Sequence, residues 1–217
     1  MREPKQQRAV ETREGILQAA AEVFDEMGYA GAGINRILKR AGATAGSLYF
    51  HFESKEGLAR AVMSRQSESI LPFLESEGLQ RLVDITRVWA HQLQSDAMLR
   101  AGVRLTTEAG ILGLGGAEEP YTAWAHVMED CLLTARDRGE LQAGVDPLQL
   151  AEHIVATCTG MQLFSEAAST DRTDLPHRTR RMWQLLLPGI AVPATAVRID
   201  LDPLGAEKLG RGGAVPG

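Results

Sequence analysis

The side chains near the N-terminus that could do chemistry are long cations and short polar groups. Cations bind phosphate oxygens, and hydroxyl, phenol and imidazole groups form directional hydrogen bonds with base edges. The free backbone N–H groups at the start of a helix can also bind a phosphate. Ser54 is a typical N-cap residue, so a helix is predicted to start there. The set comprises Lys5, Arg8, Arg13, Lys39, Thr44, Ser47, Tyr49, His51 and Lys55. Together these residue types predict contact with double-stranded DNA.

The remaining reactive side chains form no recognisable catalytic pattern. The five histidines are scattered, and no nucleophile, base and acid stand at a telling spacing. No cysteine or histidine pair has zinc-finger spacing, so we expect no metal, no cofactor and no enzyme activity. Cys131 and Cys158 lie in apolar, helix-like runs and are predicted to be buried thiols. An all-helical enzyme is kept as an alternative.

The polar set needs a compact scaffold, and helical spacing supplies one. Ile16 to Met27 reads as a first helix that ends at Gly28. A short helix runs from Ile34 to Ala41 and ends at Gly42, and Thr44 can cap a third helix, about 45–50. This is a helix-turn-helix arrangement whose last helix enters the major groove. The predicted core residues are Val23, Phe24, Ile34, Ile37, Leu38 and Leu48, and we also expect Phe50 in the core.

The whole chain is predicted to be all-α, because period-2 alternation is missing and helical spacing recurs throughout. We expect a DNA-binding domain at 1–53 with an N-terminal arm at 1–11. A helical ligand-binding and dimerisation domain follows at 54–192, and a disordered tail at 193–217. Residues 1–60 carry nine Lys and Arg against eight Asp and Glu, and residues 61–217 carry fourteen against twenty. A basic head on an acidic body suits a protein that touches DNA with one end.

Two kinds of location signal are missing from the sequence. No stretch approaches the roughly 20 apolar residues that cross a bilayer. The N-terminus is polar and has no apolar core of a secretory signal. We therefore expect a cytoplasmic protein without a membrane partner.

A specific set of residues runs through the head. It comprises Thr12-Arg13, Ile16-Leu17, Ala19-Ala20, Phe24, Gly28-Tyr29, Ile34, Ile37, Ala41-Gly42, Thr44, Gly46 to Phe52, Ser54-Lys55-Glu56 and Leu58. With this set, about residues 8–62 resemble the DNA-binding domain of TetR-type regulators. In that family the positions matching Thr44, Tyr49, His51 and Lys55 commonly contact DNA. The sequence departs from the family at Ala45, where Lys is usual, and at Gly33, where Thr or Ser often opens the second helix.

Polar and aromatic residues within the apolar faces of the body predict a cavity for a small molecule, with a hydrogen-bonded core as the alternative. The candidates are Trp89, Thr106, Tyr121, Trp124, Thr157 and Gln162. The body also resembles the γ-butyrolactone-receptor-like regulators, through Arg100 to Leu105, Tyr121-x-x-Trp124, Gly139 to Leu141, Thr157 to Gln162 and Leu187 to Pro193. The resemblance implies that Trp124 lies against the bound signal and that Thr157 is a polar contact, with Tyr121 and Gln66 as weaker additions.

The apolar spacing of the last two long helices suits a homodimer, with interior packing as the alternative. The resemblance implies a two-fold four-helix interface built from these helices. A symmetric dimer implies a palindromic operator. The resemblance implies a ligand-responsive repressor that is released by a γ-butyrolactone, a butenolide or an antibiotic. An orphan regulator that binds DNA without a ligand stays open. The predicted interface residues are Ile154, Cys158, Met161, Met182, Trp183 and Leu186.

Overall fold

The structure, a computed structural model, describes residues 3–67 (side chains 7–66), 74–112, 118–169 and 171–202. Its regular structure over these residues is helical, apart from one isolated antiparallel bridge between Leu141 and Ala191. The all-α prediction is confirmed. The helices are α1 (Glu3–Gly31), α2 (Ile34–Ala41), α3 (Ala45–Phe52), α4 (Lys55–Ser64, continued by a 3₁₀ turn Arg65–Ser67), α5 (Gly78–Gln92), α6 (Ala97–Leu112), α7 (Glu119–Asp137), α8 (Pro147–Ala168), α9 (Leu175–Ile190) and α10 (Pro193–Ala196).

The chain divides into two compact units. The head unit comprises residues 1–67 and 96–120, and the body unit comprises 68–95 and 121–217. Among the described helices, the head unit holds α1 to α4 and α6, and the body unit holds α5 and α7 to α10. The sequence predicts a head that ends at residue 53, whereas in the structure α4 and α6 pack with it.

The head unit has its own apolar core. Val23, Phe24, Ile37 and Leu48 are fully buried, as the helical spacing predicts, and Ile34 and Leu38 are partly buried against them. The inner face of α6 completes the core with Ala101, Leu105 and Ala109. Because these three residues are spaced four apart on one helix face and two of them are alanines, α6 can lie closely along α1.

Local signals in the sequence fix the turns around α3. Gly42 adopts the left-handed conformation (φ 61°, ψ 29°) that ends α2, and its N–H donates to the Leu38 carbonyl. The Thr44 hydroxyl then accepts the Ser47 N–H at 3.2 Å and caps α3. The Ser54 hydroxyl caps α4 in the same way, accepting the Gly57 N–H at 3.0 Å. Each cap satisfies a backbone donor that the helix start leaves free.

The first helix does not stop where its sequence predicts. Gly28 has φ 67° and ψ 177°, yet helical residues continue past it to Gly31. This conformation is essentially restricted to glycine. A Cβ on Gly28 would also lie 2.5 Å from Glu108 Oε1 and 2.7 Å from Arg104 Nη2. Gly28 therefore kinks α1 and lets α6 side chains approach its backbone.

The body unit is built around buried aromatic and polar contacts. Trp183 on α9 is fully buried, and its indole N–H donates to Thr86 Oγ1 on α5 at 2.7 Å. Cys131 and Cys158 are buried free thiols, as predicted, and burial raises the pKa of Cys158 to about 12. Over the described part of the chain, no helix combines the length and apolar character needed to cross a membrane.

The prediction of a disordered tail from residue 193 is wrong for its first ten residues. Pro193–Ala196 forms α10, Thr195 is buried, and the Val192 N–H donates to the Glu140 carbonyl at 3.0 Å. Residues beyond Asp202 lie outside those that the structure describes. The composition of this segment does not indicate that it is ordered, because the residues that hold Asp200 in place, Gln80 and Arg87, lie far away in the sequence on α5.

Replacing Gly28 by alanine tests the kink. We expect Gly28→Ala to lower the free energy of unfolding by about 2–3 kcal/mol, since alanine is strained at this φ and ψ and its methyl meets two α6 side chains. Urea unfolding followed by far-UV circular dichroism measures the change.

Gly15→Ala is the matched control, because Gly15 lies within α1 with open space around it. Alanine there should raise the free energy of unfolding by about 0.5–1 kcal/mol. Equal effects at the two glycines would contradict a special role for Gly28.

Candidate nucleic-acid interface and effector site

The outer face of α3 is open to solvent. Thr44 is exposed, Tyr49 is 50% exposed and Phe50 is 80% exposed, while Leu48 and Phe52 point into the core. The expectation that Phe50 is a core residue is wrong. Leu48 and Phe52, four residues apart, occupy the inner stripe, and Phe50 lies about 200° around the helix from Leu48. The exposed face is therefore both polar and aromatic.

Two of the predicted α3 contacts are less open. Ser47 is half-buried, and its Oγ atom is buried without a hydrogen-bond partner among the described residues. His51 is half-buried with its ring edge-on to Phe50, the centroids 5.0 Å apart. Ser47 can reach a ligand only after a change of rotamer, whereas His51 already borders the exposed aromatic side chain.

The predicted cations differ in their surroundings. Arg8 and Lys39 are exposed, and the side chain of Lys5 lies outside the described set. Arg13 is half-buried beside Glu14 (3.1 Å), with its guanidinium 5.2 Å from the centre of the Phe52 ring. Arg40, also on α2, is held by Glu26 at 2.8 Å. Arg8 and Lys39 are thus the more available cations.

Lys55 is positioned by an aromatic ring. Its ammonium lies 4.5 Å from the centre of the Tyr29 ring, a favourable cation–π distance. Burial lowers the pKa of Lys55 and raises the pKa of the Tyr29 phenol. Lys55 is the first residue of α4, so the ring and the helix together fix where this cation stands.

Tyr29 is in turn held by α6. Its backbone N–H donates to Glu108 Oε2 at 2.6 Å, and the other oxygen of Glu108 accepts from Arg104 Nε at 2.8 Å. Arg104 also donates to the Asp25 carbonyl at 2.7 Å, and Arg100 binds the Asp25 carboxylate through Nε and Nη2 at 2.9 and 2.7 Å. We call these five residues, Asp25, Tyr29, Arg100, Arg104 and Glu108, the clasp.

The clasp was not found by sequence reasoning. Arg100, Arg104 and Glu108 recur every four residues, which places them on one helix face. That spacing is also typical of a solvated surface, so it does not identify a partner. The signal that pointed to it was Gly28, which was interpreted only as a helix end.

The structure brings two predicted effector residues together. Gln66 and Thr106 are both buried, and the Gln66 amide donates to Thr106 Oγ1 at 3.1 Å. The Thr106 hydroxyl itself donates to the Gly102 carbonyl at 2.8 Å. A Cβ on Gly102 would lie 2.7 Å from Gln66 Cγ, so this glycine leaves room for the amide. The 3₁₀ turn after α4 is therefore joined to α6.

The other predicted effector residues belong to the body unit. Trp89 and Gln162 are buried, whereas Tyr121, Trp124 and Thr157 are half-buried. The Thr157 hydroxyl donates to the His153 carbonyl of its own helix at 2.8 Å. In this state it is therefore satisfied locally.

A groove of about 490 Å³ runs between α7 and α8. Of the predicted effector residues, Tyr121 lines it, together with Thr122, His126, Leu148, Glu152 and Val155 among others. Trp124 and Thr157 are not among its lining residues. The groove therefore does not match the predicted cavity.

Four of the six predicted interface residues pack inside the protomer. Ile154 and Trp183 are fully buried, and Cys158 and Met182 are each 7% exposed. This burial favours the interior-packing alternative for these four residues, because side chains enclosed by their own chain offer little surface to a partner. Their place in an interface stays a prediction. Met161 and Leu186 are half-buried. The exposed apolar side chains on α8 and α9 are Leu148, Leu163, Phe164 and Leu185.

Comparison with known families covers both parts of the chain. Residues 16–62 match the family described as bacterial regulatory proteins, tetR family. Residues 76–193 match the tetracyclin repressor-like C-terminal domain. The first match covers α2 and α3 together with the C-terminal half of α1 and most of α4. The second match covers α5 to α9. Both matched families are families of regulators.

Individual relatives agree with these matches. The chain is 41% identical over 213 residues to the A-factor receptor protein of Streptomyces griseus, covering 95% of this chain and 76% of the receptor. It is 40% identical to TylP, a TetR regulator from Streptomyces fradiae, with a TM-score of 0.80 over 91% of this chain and 87% of TylP. CprB from Streptomyces coelicolor, solved in complex with its operator, is 30% identical with a TM-score of 0.69 over 88% and 94%. The chain thus belongs to the TetR family of bacterial regulatory proteins.

Proposed function

We propose that this chain is a ligand-responsive transcriptional repressor that binds a palindromic operator as a homodimer in the cytoplasm. The observation that carries the proposal is the solvent-exposed face of α3. Helix α3 follows a tight turn after α2, and its opposite face packs into the core of the head unit. The 41% identity to the A-factor receptor over 95% of the chain supports the same function. The operator complex of CprB supports duplex DNA as the partner.

The DNA contacts divide by chemistry. Arg8, Lys39 and Lys55 are assigned to phosphates, which supply affinity without sequence choice. Thr44 and Tyr49 are assigned to the groove, and the exposed Phe50 adds an apolar surface of the kind that packs on a thymine methyl. Ala45 and Gly33 stand where the family usually has a cation and a hydroxyl, which shifts affinity toward the N-terminal end of the chain. The sequence predicts an arm at 1–11, but in the structure α1 already begins at Glu3, so Lys5 and Arg8 lie on its first turns.

The proposed effector is a small lactone signal. The basis is the kinship with the A-factor receptor and with solved structures described as γ-butyrolactone receptors, 29% identical with a TM-score of 0.66. The buried hydrogen bond between Gln66, in the 3₁₀ turn after α4, and Thr106, on α6, is one that such a ligand can replace. An effector acts only through a difference in its affinity for two conformers.

The clasp supplies a route from α6 to the DNA contacts. A ligand that moves α6 along α1 changes the distance between Glu108 and the Tyr29 N–H. Tyr29 in turn carries Lys55 on its ring. The position of a phosphate-binding cation therefore depends on the position of α6.

Substitution of two contacts separates phosphate binding from groove binding. The probe is a duplex enriched by the purified full chain from a random DNA pool, compared with an unrelated duplex in fluorescence anisotropy. Lys55→Ala should weaken binding to both duplexes and reduce the slope of log affinity against log salt by about 1. Tyr49→Ala should weaken mainly the enriched duplex, by about 5- to 150-fold, because a groove contact is worth roughly 1–3 kcal/mol.

The control is Arg198→Ala, which removes an exposed cation of the body unit. It should leave both affinities and the salt slope unchanged. If no duplex is enriched, or if Arg198→Ala acts like Lys55→Ala, the assignment of α3 and α4 to DNA is wrong.

Glu108→Gln tests the clasp as the coupling element. In the native chain, saturation with a synthetic γ-butyrolactone should raise the Kd for the enriched duplex about 5- to 150-fold, the usual range of such coupling. Glu108→Gln weakens the bonds to Tyr29 and Arg104, so the rise should shrink by a factor of roughly 2–30. Ligand affinity, from tryptophan fluorescence, should stay within about twofold, within the error of additive effects at separate sites.

Glu11→Gln, an exposed change on α1, is the matched control and should retain the full ligand response. A chain that binds DNA but responds to no lactone, butenolide or antibiotic is an orphan regulator, and the ligand part of the proposal then fails. An unchanged response in Glu108→Gln contradicts the role of the clasp alone.

The proposed dimer face uses the exposed apolar side chains of α8 and α9. Phe164 is 60% exposed and Leu185 is 73% exposed, so both can bury surface against a second copy. Met161 and Leu186, half-buried on the same helices, are kept as contributors. A two-fold arrangement places two α3 helices on one duplex and accounts for a palindromic operator.

Phe164→Glu combined with Leu185→Glu should convert the dimer to a monomer in analytical ultracentrifugation, because burying two carboxylates costs far more than such a face gains. Operator binding should fall with it. Ile111→Glu, at an equally exposed apolar side chain on α6 (81%), is the control and should remain dimeric. A double variant that stays dimeric would refute this face.

A further inference from the structure

A small cavity in the body unit is lined by basic and apolar side chains. It measures about 230 Å³ and lies between α5, the first turns of α9 and the segment after α10. Four of the six lining residues are basic, and none is acidic. The lining residues are Arg87, His91, Pro176, His177, Arg180 and Leu201.

Arg87 is a buried and fixed member of this lining. It is 5% exposed, and the hydrogen bonds that it makes to described residues both leave from Nη1, to Asp84 at 3.4 Å and to the Asp200 carbonyl at 2.9 Å. A guanidinium has five N–H donors in a planar fork. The Nε and Nη2 side of the fork is therefore left for another acceptor.

The segment that closes the cavity is held in place by α5. The Gln80 side chain donates to the Asp200 carbonyl at 3.2 Å and accepts the Asp200 N–H at 2.8 Å. This two-way amide pair, together with Arg87, fixes the backbone just before Leu201. Leu201, which lines one side of the cavity, is therefore held in a fixed position by these contacts.

Helix α9 contributes positive charge to the lining of the cavity. Helix α9 carries Arg178, Arg180 and Arg181 and has no Asp or Glu, in a chain of net charge −5. Arg178 is paired with Asp174 at 2.5 Å, but the carboxylate near Arg180 is Asp202, 3.9 Å away and 85% exposed. Such a long, solvated pair contributes little. The other acids near the lining are Asp84, behind Arg87, and Asp200, which directly precedes Leu201.

The two histidines of the lining add hydrogen-bonding groups to the cavity. His177 is exposed in the first turn of α9, and His91 is half-buried on α5. Burial, with a smaller contribution from Arg87, lowers the pKa of His91. A neutral imidazole can still donate one N–H to an oxygen.

From this geometry we propose that the cavity binds a phosphate group, held between the guanidinium forks of Arg87 and Arg180 and the imidazole of His177. Each guanidinium is a planar fork that can bind two phosphate oxygens at once. The volume is below the roughly 300–1,000 Å³ of sites for drug-sized ligands. It therefore admits inorganic phosphate or the phosphate end of a larger metabolite. The bound group joins α5, α9 and the C-terminal segment.

Thermal unfolding of the full-length chain tests the site, with inorganic phosphate as the probe and sodium chloride at the same ionic strength as the reference. Phosphate at about ten times its Kd should raise the Tm by about 3–6 °C. The double variant His177→Ala, Arg180→Ala should lose at least three quarters of this shift. Both positions are exposed, so the variant is expected to fold.

Arg181→Ala removes an exposed cation from the same helix without touching the cavity lining and should keep the full shift. Isothermal titration with phosphate gives the same comparison at constant temperature, one site per chain being expected. The site is refuted if phosphate gives no more shift than chloride, or if the double variant and Arg181→Ala respond alike.

Discussion

The contact on which the function proposed for the head unit depends is the pair of hydrogen bonds made by Glu108. One oxygen accepts the Tyr29 N–H and the other accepts from Arg104, so one carboxylate joins α6 to the end of α1. It can do so because Gly28 has no side chain and turns its backbone to an angle that other residues avoid. A single glycine thereby allows a carboxylate to position a tyrosine, and the tyrosine positions Lys55.

Much of the head could be predicted because its signals are local. The caps at Thr44 and Ser54 and the left-handed turn at Gly42 depend on residues within four positions of each other. The clasp could not be predicted, since Glu108 and Tyr29 are 79 residues apart and nothing local ties them. Order in residues 193–202 escaped for the same reason, because Gln80 holds Asp200 across 120 residues.

Two sets of residues show what apolar spacing does and does not report. On α8 and α9 the helical period predicts Ile154 and Trp183 at an interface or in the interior, and in the protomer both are buried by their own chain. Periodicity gives the face that avoids water and is silent about which surface covers it. Phe50 is the reverse case, an aromatic residue in an apolar run that faces solvent. Its exposure follows from the inner stripe already being filled by Leu48 and Phe52.

The ion pairs of the two units differ in how far they are buried. This difference affects which of them a ligand can change. In the body unit the Arg87–Asp84 pair is almost fully buried, and Ser76 and Gln80 also donate to Asp84. Breaking a buried pair of this kind costs about 3–5 kcal/mol, so it suits a fixed framework. The clasp pairs keep about 20–34% of their side-chain surface exposed. Each hydrogen bond to a charged group in such a position contributes roughly 1.5–3 kcal/mol. One such bond is comparable with the coupling energy that a ligand typically provides, about 1–3 kcal/mol, so a small molecule can displace the bond from the Tyr29 N–H to Glu108 while the other bonds of the clasp hold.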